Sequence, residues 1–175
     1  MFSGCGDPTA ITAQFNNLER RGIVYAMNGS PISLPAAVAI RSGTAVAVDA
    51  GFAFDIAFDL DAAGVVTVYT QARVASQLVA VHRVGLQVSD KPFAEVLKAP
   101  GTGFVYDSVT TLAPGKTLLV DVIEQSCGFG SFLGPNIFAK VAIDSIVPAT
   151  RAIYVHVMAN PNCGFRSLAP GKPTE

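Results

Sequence analysis

Three aspartates, two histidines and three cysteines are the residues of this chain with the clearest chemical potential. Asp55, Asp59 and Asp61 lie within Phe54-Asp55-Ile56-Ala57-Phe58-Asp59-Leu60-Asp61. On a strand, residues two apart share a face, so Asp59 and Asp61 could present two carboxylates to one cation. A calcium loop of the EF type needs more than that. Asp59-Leu60-Asp61-Ala62-Ala63-Gly64 lacks a third oxygen ligand, and Thr70 stands where the closing glutamate belongs. No metal is therefore expected, and Asp59 and Asp61 are the nearest approach to a ligand pair. The row reads instead as a solvated strand face, with Asp61 capping the hairpin that follows. A hydrolase built on these acids needs His82 or His156 within hydrogen-bond reach in a cleft. Both histidines lie in strand-like runs, and the chain has no Gly-x-Ser-x-Gly and no Cys–His pairing. It also lacks tryptophan, the usual sugar-stacking residue of a glycosidase. Gly115-Lys116-Thr117 ends like a phosphate loop, but Thr110 occupies the position of its first glycine. No catalytic residue and no cofactor are expected.

The cysteines say more. Cys127 sits in Ser126-Cys127-Gly128-Phe129-Gly130 and Cys163 in Asn160-Pro161-Asn162-Cys163-Gly164, both turn-like contexts at strand ends. In an oxidising compartment they can close a staple worth about 3–4 kcal/mol on the chain-entropy account. In a reducing one they are two buried thiols. Neither has a second cysteine or a histidine at zinc-ligand spacing. Cys5 is the odd one, open to three readings: a lipid-bearing residue, a reactive thiol, or an incidental one.

Phe2-Ser3-Gly4-Cys5 resembles the lipobox of bacterial lipoproteins, with Phe2 in place of the commoner leucine. That resemblance implies lipid attachment at Cys5, export, a place at a membrane surface, and pairing of Cys127 with Cys163. No apolar leader fits between Met1 and Cys5, so the numbering is expected to start inside a longer precursor or at a trimmed end.

Composition narrows the class. The 175 residues are 50% hydrophobic and 14% charged, with a net charge of -1. That is enough apolar material for a real core. It leaves no basic footprint for nucleic acid and no basic stripe for anionic lipid. The longest uncharged stretch, Gly22 to Ile40, contains Asn28, Gly29, Pro31 and Pro35 and reads as two strands and a turn rather than a membrane span.

Period-two alternation broken by Gly, Pro, Asn and Asp clusters runs through the chain. Thr44, Val46 and Val48 share one face. Phe52, Phe54, Ile56, Phe58 and Leu60 form an apolar row opposite the aspartates, and Gly64 is suited to a positive φ before Val65-Val66-Thr67-Val68-Tyr69 returns. Further strands are expected around 78–88, 104–107, 117–124, 137–146 and 152–158, with helical turns confined to Thr9–Leu18 and Lys91–Lys98. The fold class is all-β: an antiparallel β-sandwich, or a flattened barrel, with short helical turns. Residues 1–18 form a tether and lead-in, 19–168 a single domain with a candidate seam near 93–103, and 169–175 a loose tail.

With Cys5 and the Phe54–Asp59 run, the segment Asn160-Pro161-Asn162-Cys163-Gly164-Phe165-Arg166-Ser167-Leu168 resembles uncharacterised bacterial lipoproteins with a β-rich body. The resemblance carries no activity. The expected function is that of a non-enzymatic, membrane-extrinsic lipoprotein, periplasmic or on the outer surface. It would be anchored through Cys5 and act as an accessory subunit through protein contacts in a membrane complex, photosynthetic reaction-centre assemblies being one example. The alternative is a module for a small apolar ligand or glycan, since eleven phenylalanines could line a cavity. A carboxylate-dependent hydrolase comes third.

Overall fold

A computed structural model of the chain describes residues 11–48, 51, 53–75, 83–127 and 133–173. Among these, eleven strands form two antiparallel sheets. The strands are β1 (Leu18–Tyr25), β2 (Pro35–Ala39), β3 (Thr44–Ala47), β4 (Ile56–Leu60), β5 (Val66–Thr70), β6 (Arg83–Ser89), β7 (Val105–Tyr106), β8 (Val109–Leu112), β9 (Thr117–Ile123), β10 (Asn136–Val147) and β11 (Ala152–Asn160). One sheet has the order β1-β11-β10-β9-β6-β7 and the other β3-β2-β4-β5-β8. The expected all-β sandwich is what forms.

The alternation explains the layering. Leu118, Val120 and Val122 on β9 and Ile137, Ala139 and Val141 on β10 point inward. These side chains meet Ile56, Phe58 and Leu60 of β4 and Val66 and Val68 of β5 in one core. Antiparallel pairing fixes this register, since a one-residue slip would carry each apolar row to the opposite face. The β4–β5 hairpin closes as expected: Asp61 Oδ1 accepts from the amides of Ala63 and Val65 at 2.9 and 2.8 Å, and Gly64 takes φ +82°.

Both sheets are also covered on their outer faces, and four expectations change. Asp55 is not on a solvated face: it is only 5% exposed, and its Oδ2 accepts from the Ile40 amide at 2.7 Å. It precedes β4 beneath a small second core of Ala37, Phe54 and Ala57, against which Val74 of the short helix α1 (Gln71–Val74) packs. The 93–103 stretch is no seam. It contains a single 3-10 turn, Phe93–Glu95, and lies on the outer face of the six-stranded sheet, where Val96 and Ala99 bury against Leu119, Phe138 and Leu168. The tail is tied rather than loose as far as residue 173. Leu168 is fully buried, and Asn17 donates from Nδ2 to the Ser167 and Ala169 carbonyls and from its backbone amide to Gly171. The lead-in carries no helical turn over 11–17; its Gln14 and Phe15 amides are held by the Asn162 side chain.

Cys127 and Cys163 form a disulfide. It joins the 3-10 turn after β9 to the segment after β11. There Gly164, at φ +79°, lies so close to the backbone of Leu133 that an added Cβ would collide with it at 2.5 Å. Cys5, His82 and Phe52 lie outside the described residues.

Candidate functional site

The end of the sandwich beside the disulfide holds a cavity of about 590 Å³. Its floor is one end of the main core, the part-buried Leu18 over the buried Val122 and Ile137, with Phe54 and Ala53 from the approach to β4. Phe15 and Pro161 form one wall. Phe15 is 55% exposed, yet its backbone is fixed from both sides: Asn162 Oδ1 accepts from its amide and Asn162 Nδ2 donates to its carbonyl, each at 2.9 Å. Asn160, fully buried, holds Asn162 in turn. The polar rim consists of Arg41 and Ser42 at the β2–β3 turn and Glu124 after β9. Arg41 Nη1 donates to Ser126 Oγ at 2.8 Å and lies 3.8 Å from Glu124 Oε2. The volume and the apolar floor with a few polar groups are those of a small-molecule site.

Among the described residues, those singled out for chemistry in the sequence do not come together in one site. Asp59 is a clasp. It accepts from the amide and side chain of Asn28 and pairs with Arg151 Nη2 at 3.4 Å, while Arg151 also bonds the Asn28 and Leu60 carbonyls. Asp61 serves its own turn. Among the described residues no group of three or more His, Cys, Asp or Glu side chains is placed to hold a metal ion.

His156 lies on the outer face of the six-stranded sheet. Its Nε2 is 2.6 Å from Glu19 Oε1, and its ring stacks on Phe93 with centroids 3.9 Å apart. Beside it is a residue that periodicity did not flag. Lys140 is 2% exposed, donates to the Phe93 and Val96 carbonyls at 2.9 and 2.7 Å, and has its ammonium 4.4 Å from the centre of the Phe93 ring. Burial draws its pKa below the usual lysine value, and Glu19 partly opposes that. The amine fastens the 93–96 segment to the sheet, and its two carbonyl partners make it a structural cation.

Asp121 is the other buried acid outside the predicted row. It accepts from Tyr106 Oη and Asn136 Nδ2, each at 2.7 Å. Burial raises its pKa, while those two donors pull it down. Tyr106 is pushed up to about 12, first by burial and then by its bond to Asp121. A phenol held protonated in the fold but ionising near 10 in the unfolded chain contributes stability that is complete below pH 10 and lost as pH rises towards 12. Thermal melts from about pH 9 to 12 should therefore fall more steeply for the wild type than for Tyr106→Phe. Parallel curves would mean that the hydroxyl is not buried against Asp121. The difference between the two proteins isolates Tyr106, because Lys140, whose lowered pKa acts in the opposite direction as pH rises, is common to both.

Compared with known proteins, the chain matches no family model, no curated protein and no solved structure. Fold and cavity together define a disulfide-braced β-sandwich with an apolar site at one end of its core. That site draws on residues from 15 to 161, so no local motif announces it. The signal available in the sequence was only the aromatic Phe54 row, which supplies one floor residue.

Proposed function

We propose that this protein is a non-catalytic binding module that holds a small apolar molecule in the cavity at the end of its sandwich. The observation that carries the reading is the open cavity itself, floored by the main core and walled by an exposed phenylalanine whose backbone is rigidly held. Covering an aromatic ring that stands half in water is favourable, so this wall would add to the affinity of an apolar occupant. The position of the acids and of His156 supports a non-enzymatic role, since Asp55, Asp59, Asp61, Asp121 and His156 all have partners within the fold. The disulfide supports an exported, oxidising location, with the Cys5 lipid as the proposed attachment to a membrane surface.

Titration with N-phenyl-1-naphthylamine tests the cavity. Its fluorescence should rise saturably, with a Kd of about 10–100 µM for a ligand of its size. Ala53 is exposed and lines the cavity, so Ala53→Trp should block the site without disturbing the core. Phe15→Ala should weaken binding by about five- to tenfold through lost apolar contact. Non-saturable fluorescence, or binding indifferent to Ala53→Trp, rules the reading out.

A second reading, the accessory subunit of a membrane complex, is favoured by one observation. Val105 on β7 and Val109 on β8 are 63% and 44% exposed, and these are edge strands of the two sheets where the chain passes from one to the other. Exposed apolar residues on unpaired edges suit a protein partner. Crosslinking from Val105→Cys in native membranes should capture one partner subunit if this edge is the contact.

A further inference from the structure

The rim of the cavity goes further than its floor, because its charges specify the polar end of the occupant. Arg41 is the cation among the described rim residues. Its side chain is half exposed, donates to Ser126 Oγ, and stands 3.8 Å from the Glu124 carboxylate, which is itself only 15% exposed. Asp55 borders the cavity but is buried, its Oδ2 accepting from the Ile40 amide, so the charged pair at the rim is Arg41 and Glu124. A ligand carboxylate placed at Arg41 meets the Glu124 carboxylate beside it. A ligand ammonium placed at Glu124 meets the Arg41 guanidinium. Either charge loses hydration at the Arg41–Glu124 pair, whose two charges already offset each other. A hydroxyl both donates and accepts, so it can take an Arg41 N–H and give its proton to Glu124 without adding charge. Ser42 Oγ, 2.6 Å from Thr44 Oγ1, extends the same neutral hydrogen-bonding rim.

We infer that the cavity selects uncharged apolar alcohols over acids and amines of the same chain, with the Arg41–Glu124 pair as its specificity determinant. This rests on the apolar-ligand reading of the cavity. Arg41 and Glu124 belong to segments that meet only in the fold, one after β2 and the other after β9, so the pair marks the site rather than a local turn. The occupant's apolar part lies against Phe15 and Leu18, above the buried Val122 and Ile137, and its hydroxyl end lies towards solvent at the rim.

Displacement of bound N-phenyl-1-naphthylamine by 1-decanol, decanoate and decylammonium at neutral pH tests the inference. In the wild type, 1-decanol should displace the probe at the lowest concentration. Glu124→Gln frees Arg41 from its partner and should shift the preference towards decanoate, relative to decanol, by about fivefold for a partly exposed pair. Arg41→Gln should shift it towards decylammonium by a similar factor. A wild type that prefers decanoate or decylammonium to decanol overturns the selectivity without any need for variants. So do two folded variants whose ligand ratios match the wild type. Those results leave the cavity reading standing, whereas failure of the probe to bind the wild type at all removes both.

Discussion

Replacing Cys127 and Cys163 together by alanine is expected to lower stability by about 3–4 kcal/mol, the entropy of closing a loop of this length in the unfolded chain. The bridged residues are 36 apart in sequence. They join two segments that no strand pairing connects directly, the turn after β9 and the chain after β11. Cys127 is buried at the edge of the main core, so alanine also removes sulfur contacts there. Urea unfolding with and without reductant checks the assignment. Reductant should destabilise the wild type nearly as far as the double substitution does, and should leave the double variant unchanged. The denatured-state origin predicts a larger m-value without the bridge, because the freed chain exposes more surface on unfolding. A loss below about 1 kcal/mol would mean that the staple constrains little.

The bridge also bears on the site. Glu124 stands three residues before Cys127 and Pro161 two before Cys163, and both line the cavity. Loss of the bridge is therefore expected to weaken probe binding as well as global stability.

The sandwich was legible because strand alternation and turn residues are local signals. Even the Asp61–Gly64 turn follows from neighbours in sequence. The covered outer faces followed a different signal that one-sided alternation conceals. Leu118-Leu119-Val120 and Ile137-Phe138-Ala139 are apolar on both faces of their strands, and Leu119 and Phe138 need a lid that Val96, Ala99 and Leu168 provide. A Pro/Gly-rich ending looks solvated until that need is recognised. Asp55 likewise reads as a surface residue only if Ala37 and Ala57 are assumed bare. Lys140 was opaque because its partners are backbone carbonyls of a loop far away in the chain, and no side-chain pattern predicts them. The α1 turn escaped because four residues of Gln-Ala-Arg-Val carry too little periodicity. The cavity was opaque for the same reason as Lys140. It is made by where strand ends stop, not by which residues are spaced together.

Asn162→Ala should be the most damaging single polar substitution at the site, costing about 2–4 kcal/mol through orphaned buried partners. The Asn162 side chain accepts from the Gln14 and Phe15 amides at 2.8 and 2.9 Å and donates to the Phe15 carbonyl and Asn160 Oδ1, both at 2.9 Å. Alanine removes all four bonds while leaving Asn160 fully buried. Asn162→Asp separates the contributions. It keeps an acceptor for the two amides but sets a carboxylate against the Phe15 carbonyl and Asn160 Oδ1, so it should not rescue stability at neutral pH. Native-state hydrogen exchange gives the local test. The Gln14 and Phe15 amides should lose protection far more than the β9–β10 ladder does, since those two are held by this one side chain. Because the same bonds fix the backbone beneath the Phe15 ring, probe affinity should fall in Asn162→Ala at least as far as in Phe15→Ala. An Asn162→Ala protein that keeps its stability and both protected amides would show that the lead-in is held by something other than Asn162. The wall of the cavity would then owe its rigidity to another part of the fold.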